Sequence, residues 1–137
     1  MSPLPDPPGV AGMPRLVLRL EGAALLALAC VVYGWTGTSW WLFAVLFLAP
    51  DLSFLAYLAG PRAGALIYNV VHTTLAPIVL GGIGYVAEQP IAFSLSFIWA
   101  AHVGFDRMLG YGLKYDAGFG FTHLGRIGRV ASSPATR

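Results

Sequence analysis

Apolar residues run along this chain in four long stretches, over about residues 16–35, 40–59, 63–87 and 90–113, each separated from the next by a short cluster of Gly, Pro or polar residues. A helix that crosses a bilayer needs ~20 mostly apolar residues at 1.5 Å rise each, and all four stretches meet that length. The separators, Gly34-Trp35-Thr36-Gly37-Thr38-Ser39, Gly60-Pro61-Arg62 and Glu88-Gln89-Pro90, are turn-forming. Trp40-Trp41 opens the second stretch with an aromatic pair of the kind that anchors at a headgroup boundary. The pattern predicts an all-α, four-helix integral membrane bundle over residues 15–113. Residues 1–14 hold five of the ten prolines and have little to bury, so they read as a disordered leader. Residues 114–137 read as a cytoplasmic tail or cap.

Composition agrees with a bilayer environment. The 137 residues are 57% apolar and 10% charged, against about 25% charged in soluble domains. All eight Lys and Arg residues fall on one side of the four-span arrangement. Arg15 and Arg19 flank the first span, Arg62 lies in the second loop, and Arg107, Lys114, Arg126, Arg129 and Arg137 close or follow the fourth. This bias puts both termini in the cytoplasm, and topology explains the basic residues without nucleic-acid binding. Cys30 is the only cysteine, which excludes an internal disulfide and a Cys-cluster metal site.

Two prolines fall inside spans. Pro50 frees the carbonyl of Leu46 and Pro77 that of Thr73, which predicts kinks in the second and third spans. Ala100 and Gly104 in the fourth span, with Gly81, Gly82 and Gly84 in the third, are small residues that let helices approach closely in lipid.

The chemistry lies in the few ionisable residues that interrupt the apolar runs. Glu21, Asp51, His72, His102 and Asp106, with Asn69, fall ~8–16 Å inside the cytoplasmic ends of their spans, counted by helix rise. His102 and Asp106 are four apart and share a helical face with Trp99, while Asn69, His72 and Thr73 form a polar stripe on the third span. Charged groups at this depth cost at least ~2.5 kcal/mol each on insertion scales, so they turn toward protein. Packing four helices about a centre brings Asp51, His72, His102 and Asp106 together, with Glu21 nearby.

Two imidazoles and two carboxylates are a ligand set for a divalent transition metal such as zinc, iron or manganese, although no H-x-x-x-H, H-E-x-x-H or E-x-x-H pattern is present. The same four residues suit acid/base catalysis or proton relay. They are the candidate catalytic and metal-binding residues; Glu21, Asn69, Arg107, Tyr111 and His123 are the candidates for substrate binding. Arg107 can take an anionic group or simply anchor the topology. The Gly- and aromatic-rich segment from Gly110 to Gly125 either folds back over the cytoplasmic mouth, bringing His123 to the site, or rests on headgroups.

The string from His102-Val-Gly-Phe-Asp-Arg-Met-Leu-Gly-Tyr-Gly-Leu-Lys to Tyr115, followed by Phe121-Thr-His-Leu-Gly125, resembles the signature of a family of small bacterial integral membrane proteins catalogued as a domain of unknown function. Leu18-Arg-Leu-Glu-Gly22, Asp51-Leu52 and Tyr68-Asn-Val-Val-His72 resemble its pattern too. The resemblance implies a multi-pass protein of the bacterial cytoplasmic (inner) membrane, and no activity. The leading expectation is a membrane-embedded enzyme acting on a lipid-like or amphiphilic substrate. The alternatives are a small proton-coupled transporter working as a homodimer, and a structural or assembly subunit. In each, the lipid bilayer is a partner and nucleic acid is not.

Overall fold

A computed structural model describes residues 9–116 and 119–127 of the chain. In order, the elements are α1 (Gly12–Trp35), α2 (Trp40–Leu46), a 3₁₀ helix (Ala49–Ala59), α3 (Pro61–His72), α4 (Leu75–Val86), α5 (Pro90–Leu109) and a two-stranded hairpin of β1 (Phe121–Thr122) and β2 (Gly125–Arg126). Helix α1 packs along α5, α4 packs on the same α5, and the 3₁₀ helix packs on α3. Most of the expected leader, residues 1–8, lies outside the described residues, and its last residues are helical, since α1 already begins at Gly12. Of the expected tail, residues 117–118 and 128–137 also lie outside the description.

Among the described residues, two helices, Gly12–Trp35 and Trp40–Ala59, are long and apolar enough to cross a membrane; α3 and α4 make a third if taken as one span bent by 45°. The expected fourth span is the exception. Helix α5 is not among them by composition, because His102, Asp106 and Arg107 occupy its last turns. Its Ser94, Ser96, His102 and Asp106 are buried against the other helices. It also stops at Leu109 rather than 113, because Gly110 turns left-handed with φ 90 and closes the helix through its N–H on Asp106 and Arg107 carbonyls.

Both span prolines act on the backbone. Around Pro50 the second span changes from α to a 3₁₀ helix that runs to Ala59, longer than the 3–4 residues such helices usually reach. Ahead of Pro77 the third span separates into two helices, with Thr73 extended at φ −76 and ψ 146. The break leaves the last carbonyls of α3 without helical donors. Two side chains of α5 fill the gap: Trp99 Nε1–H donates to Val71 O at 2.6 Å, and Arg107 Nη2 donates to His72 O at 3.0 Å.

The polarity of the protein is inverted relative to a soluble one. Leu28, Val45, Leu58, Ile78 and Val86 are exposed, whereas His72, His102, Asp106, Lys114 and Thr122 are buried with Tyr33, Tyr68 and Val103. Such a surface suits hydrocarbon, and such an interior is tolerated when its polar groups find one another. At the far end, Tyr33 Oη–H donates to Ser39 O at 2.7 Å and Thr38 Oγ1 lies 2.7 Å from Ser94 Oγ, tying the α1–α2 turn to α5.

At the opposite end the segment after α5 folds back onto the helices. Asn69 of α3 holds the backbone of Lys114, Val10 N–H donates to His123 O at 2.7 Å, and Lys114 bridges to Thr122 of the hairpin. The start of α1 and the C-terminal segment therefore meet at one end of the molecule.

Candidate metal centre

Three elements deliver four ligand-type side chains to one point. His72 is the last residue of α3, His102 and Asp106 lie one turn apart on α5, and Asp51 sits in the first turn of the 3₁₀ helix. The Nε2 atoms of the two histidines are 3.1 Å apart. Asp51 Oδ1 lies 3.4 Å from His72 Nε2 and 3.3 Å from His102 Nε2. Asp106 Oδ2 lies 3.5 Å from each. All four donor atoms fall within 4.8 Å of one another. The histidine side chains are almost wholly enclosed, whereas the Asp51 side chain keeps 35% of its surface exposed.

The surroundings fix these groups in place. His72 Nδ1–H donates to Tyr68 O at 3.0 Å, which leaves Nε2 as the lone-pair nitrogen facing the other three. The Tyr68 ring stacks on the His72 imidazole at 3.8 Å between centroids and 11° between planes. Its hydroxyl donates to Asp106 Oδ2 at 3.4 Å. Phe47 packs edge-on against His102 at 5.6 Å. Arg107, on the next turn of α5, is tied to the His72 carbonyl, so the broken end of α3 is fastened to α5 beside the cluster.

A cavity of about 280 Å³ adjoins the cluster, lined by Asp51, Asp106 and Tyr68 and by Tyr111, Lys114 and Phe119 of the folded-back segment. Lys114 is 4% exposed. Its ammonium lies 3.8 Å from the centroid of Phe119 and 4.8 Å from that of Tyr68, and donates to Phe119 O at 2.9 Å. Burial pushes the Lys114 ammonium down to about 8, against the opposing pull of Asp106.

The remaining expected residues take other places. Asn69 spends its amide on the Lys114 backbone, donating to the carbonyl at 2.7 Å and accepting from the N–H at 2.6 Å. Arg107 donates to Tyr111 O and His72 O, both at 3.0 Å, so it closes backbone ends. Tyr111 does line the cavity beside the cluster. Glu21 and His123 do not: with Arg107 they line a separate cleft of about 220 Å³ toward α1. His123 Nδ1 accepts from Leu113 N–H at 2.8 Å, so the fold-back of the segment ties His123 to the chain after α5 and not to the cluster.

Two residues of this site escaped the sequence reading. Tyr68 lies four before His72, the spacing that stacks side chains on one helical face. Lys114 counts in that reading only as one more topology cation, although it lies inside the string from His102 to Tyr115 and Arg126 does not.

Residues 15–127 match the family model described as Domain of unknown function (DUF4260). The chain belongs to that family. The DUF4260 stretch contains the four clustered residues, the cavity and the separate cleft. No curated protein and no solved structure matches the chain.

Proposed function

We propose that this chain is a small metal-dependent enzyme embedded in the bacterial cytoplasmic membrane, with Asp51, His72, His102 and Asp106 as the ligands of its ion and a lipid-like or amphiphilic substrate. The spacing of the donors carries this reading. Four ligands ~2.1 Å from a common centre in a tetrahedron sit ~3.4 Å apart. Five of the six separations run from 3.1 to 3.5 Å, and the sixth, between Asp51 and Asp106, stays within 4.8 Å. A set of two imidazoles and two carboxylates suits zinc, manganese or iron(II).

Four protein ligands close a tetrahedral zinc site, whereas a five- or six-coordinate ion keeps positions open. A bound ion would be reached from the cavity past Asp51 and Asp106, the two candidate ligands that line it. When bound, such an ion supplies Lewis-acid chemistry or an activated water at neutral pH. The chain's own groups orient the ligands: Tyr68 O fixes the His72 tautomer, Tyr68 Oη–H steadies Asp106, and aromatic walls limit water.

The membrane arrangement proposed with it has four transmembrane elements, α5 being the fourth with its polar side covered by protein. Both termini are then cytoplasmic. The grouping of basic residues supports this, since Arg19 Nε donates to Met108 O at 2.8 Å at the end where α5 stops.

The deciding experiment is elemental analysis of detergent-purified protein beside a His72→Ala, His102→Ala double variant whose helicity is intact. About one transition metal per chain, lost in the variant, is the expected result. No metal in the wild type after incubation with zinc, iron and manganese rejects the reading. A proton-coupled carrier is the second reading, favoured by the 45° break beside His72. It requires pH-dependent uptake by proteoliposomes. A purely structural subunit would show neither, and only lose thermal stability in the variants.

A further inference from the structure

Lys114 is an unusual residue to find enclosed. It is 4% exposed, yet among the described residues no carboxylate lies within ion-pair distance of its Nζ. Among the described residues, two ring faces and one carbonyl surround its ammonium, and one of its three N–H donors has a hydrogen-bond acceptor, Phe119 O. Enclosing an ammonium without an opposite charge is costly, so such groups persist where a ligand supplies the missing charge. Lys114 lines the same cavity as Asp51 and Asp106. Its place there is built: Asn69, one residue after Tyr68 on α3, fixes the Lys114 backbone at both N–H and C=O.

The charge of that cavity depends on the ion. Without one, two carboxylates outweigh one ammonium and the cavity is negative. With a divalent ion between them, the carboxylates are neutralised and the ammonium remains as a single net positive charge. A loaded site therefore favours a monoanion held between the ion and Lys114.

The size of the cavity bears on the rest of the ligand. A volume of about 280 Å³ corresponds to ~9 waters at ~30 Å³ each, room for a headgroup and its first carbons but not for a long chain. Phe54 and Phe119 line it, and both are also exposed outside; Leu55 and Leu58, exposed as well, follow Phe54 on the 3₁₀ helix. A tail leaving the cavity past these residues meets apolar surface.

We infer that the cavity between the Asp51–Asp106 side of the metal cluster and Lys114 binds the anionic oxyacid headgroup of an amphiphile, a phosphate monoester or a carboxylate, with Lys114 as its anchor and Asn69 as the positioning residue for Lys114. This rests on the metal-dependent reading of the cluster.

The test uses the full chain in a neutral maltoside detergent, loaded with manganese or zinc and assayed for metal content before each titration. Decyl phosphate, inorganic phosphate and decyltrimethylammonium are titrated by calorimetry into wild type and Lys114→Met. Loaded wild type binds decyl phosphate at least ~10-fold more tightly than either other probe, and Lys114→Met loses ~10–100-fold for decyl phosphate with its metal content unchanged. The Asn69→Ala variant shows a partial loss of the same affinity, again at full metal content.

Equal affinity of loaded wild type and Lys114→Met for decyl phosphate overturns the proposal while leaving the metal site standing. Inorganic phosphate binding as well as decyl phosphate overturns the amphiphile and assigns a soluble anion. Decyltrimethylammonium binding as well as decyl phosphate overturns the charge argument in wild type alone, whatever the fold of the variant. A chain that takes up no metal fails at the first assay, which rejects the metal reading and, with it, the charge count used here.

Discussion

The side chain of Asn69 closes both hydrogen bonds on the backbone of Lys114, donating to its carbonyl at 2.7 Å and accepting from its N–H at 2.6 Å. One amide in α3 thus fastens the segment that covers the cavity to the helix that carries His72. Asn69→Ala leaves a buried donor and acceptor without partners, a loss of ~1–3 kcal/mol for each. Hydrogen exchange of the Lys114 and His123 amides is expected to quicken by ~10–100-fold, with metal content unchanged. Unaltered protection would show that the cap is held elsewhere.

Metal loading should stabilise the folded chain by mass action. At a free ion concentration of ~100 Kd the gain is ~2.7 kcal/mol. A thermal scan in detergent is expected to rise on addition of the ion found by elemental analysis and to fall back with chelator. Asp106→Asn, which replaces a buried carboxylate of the candidate ligand set, should abolish the rise.

Helices α1 and α5 touch backbone to backbone where Gly22 meets Gly104. A Cβ placed on Gly104 would lie 2.6 Å from Leu26 N and 2.7 Å from Gly22 O, so the helices must separate to admit it. Gly104→Ala is expected to cost ~1–3 kcal/mol as overpacking, and Gly104→Val more. Gly82 is the control, since a Cβ there meets nothing within 4 Å. Gly82→Ala should be neutral or stabilising by ~1 kcal/mol through helix propensity. Equal melting temperatures for the Gly104 variants and wild type would refute the close crossing.

His123 gives the cap an acid limit. Burial, reinforced by the positive charge of Arg107, holds its imidazole below the ordinary 6.5. The unfolded segment therefore binds more protons than the folded one as pH falls through 6.5. The contribution of His123 is complete above that value and is lost below it. Protonation of Nδ1 also removes the acceptor of Leu113 N–H. The protection factors of the cap amides, with the slower intrinsic exchange at acid pH divided out, should fall on acidification from pH 7.5 to 5.5, and His123→Gln should flatten that dependence.

Lys114 has the opposite range. Its folded value of about 8 lies below 10.5 in the unfolded chain, so between those values the unfolded state carries more protons and stability rises with pH. A melting temperature that climbs by a few degrees from pH 8 to 10, and does not climb in Lys114→Met, is the expected outcome. A flat wild-type profile would mean that the ammonium is solvated.

How far the sequence leads can be judged residue by residue. The helices were legible because hydrocarbon demands ~20 apolar residues per crossing and leaves few alternatives to a helix. Pro77 marked the break in the third span because a missing N–H acts locally. Asp51, His72, His102 and Asp106 stood out because ionisable groups in apolar runs are rare and turn inward. Glu21 carried the same signal yet borders the other cleft, since depth along a helix says nothing of which side faces which neighbour.

The sequence by itself determined that the chain is helical, apolar outside and polar within, and which few residues have chemistry to offer; periodicity and transfer free energy act on each segment separately and need no partner. Only the tertiary structure decided that four donors stand within 4.8 Å of one another, that α5 ends at Gly110, that Asn69 secures Lys114, and that Arg107 closes backbone ends. Those outcomes depend on helix rotation and on where the chain turns after α5, which are set by contacts between residues far apart in sequence, such as Gly22 with Gly104 and Trp99 with Val71.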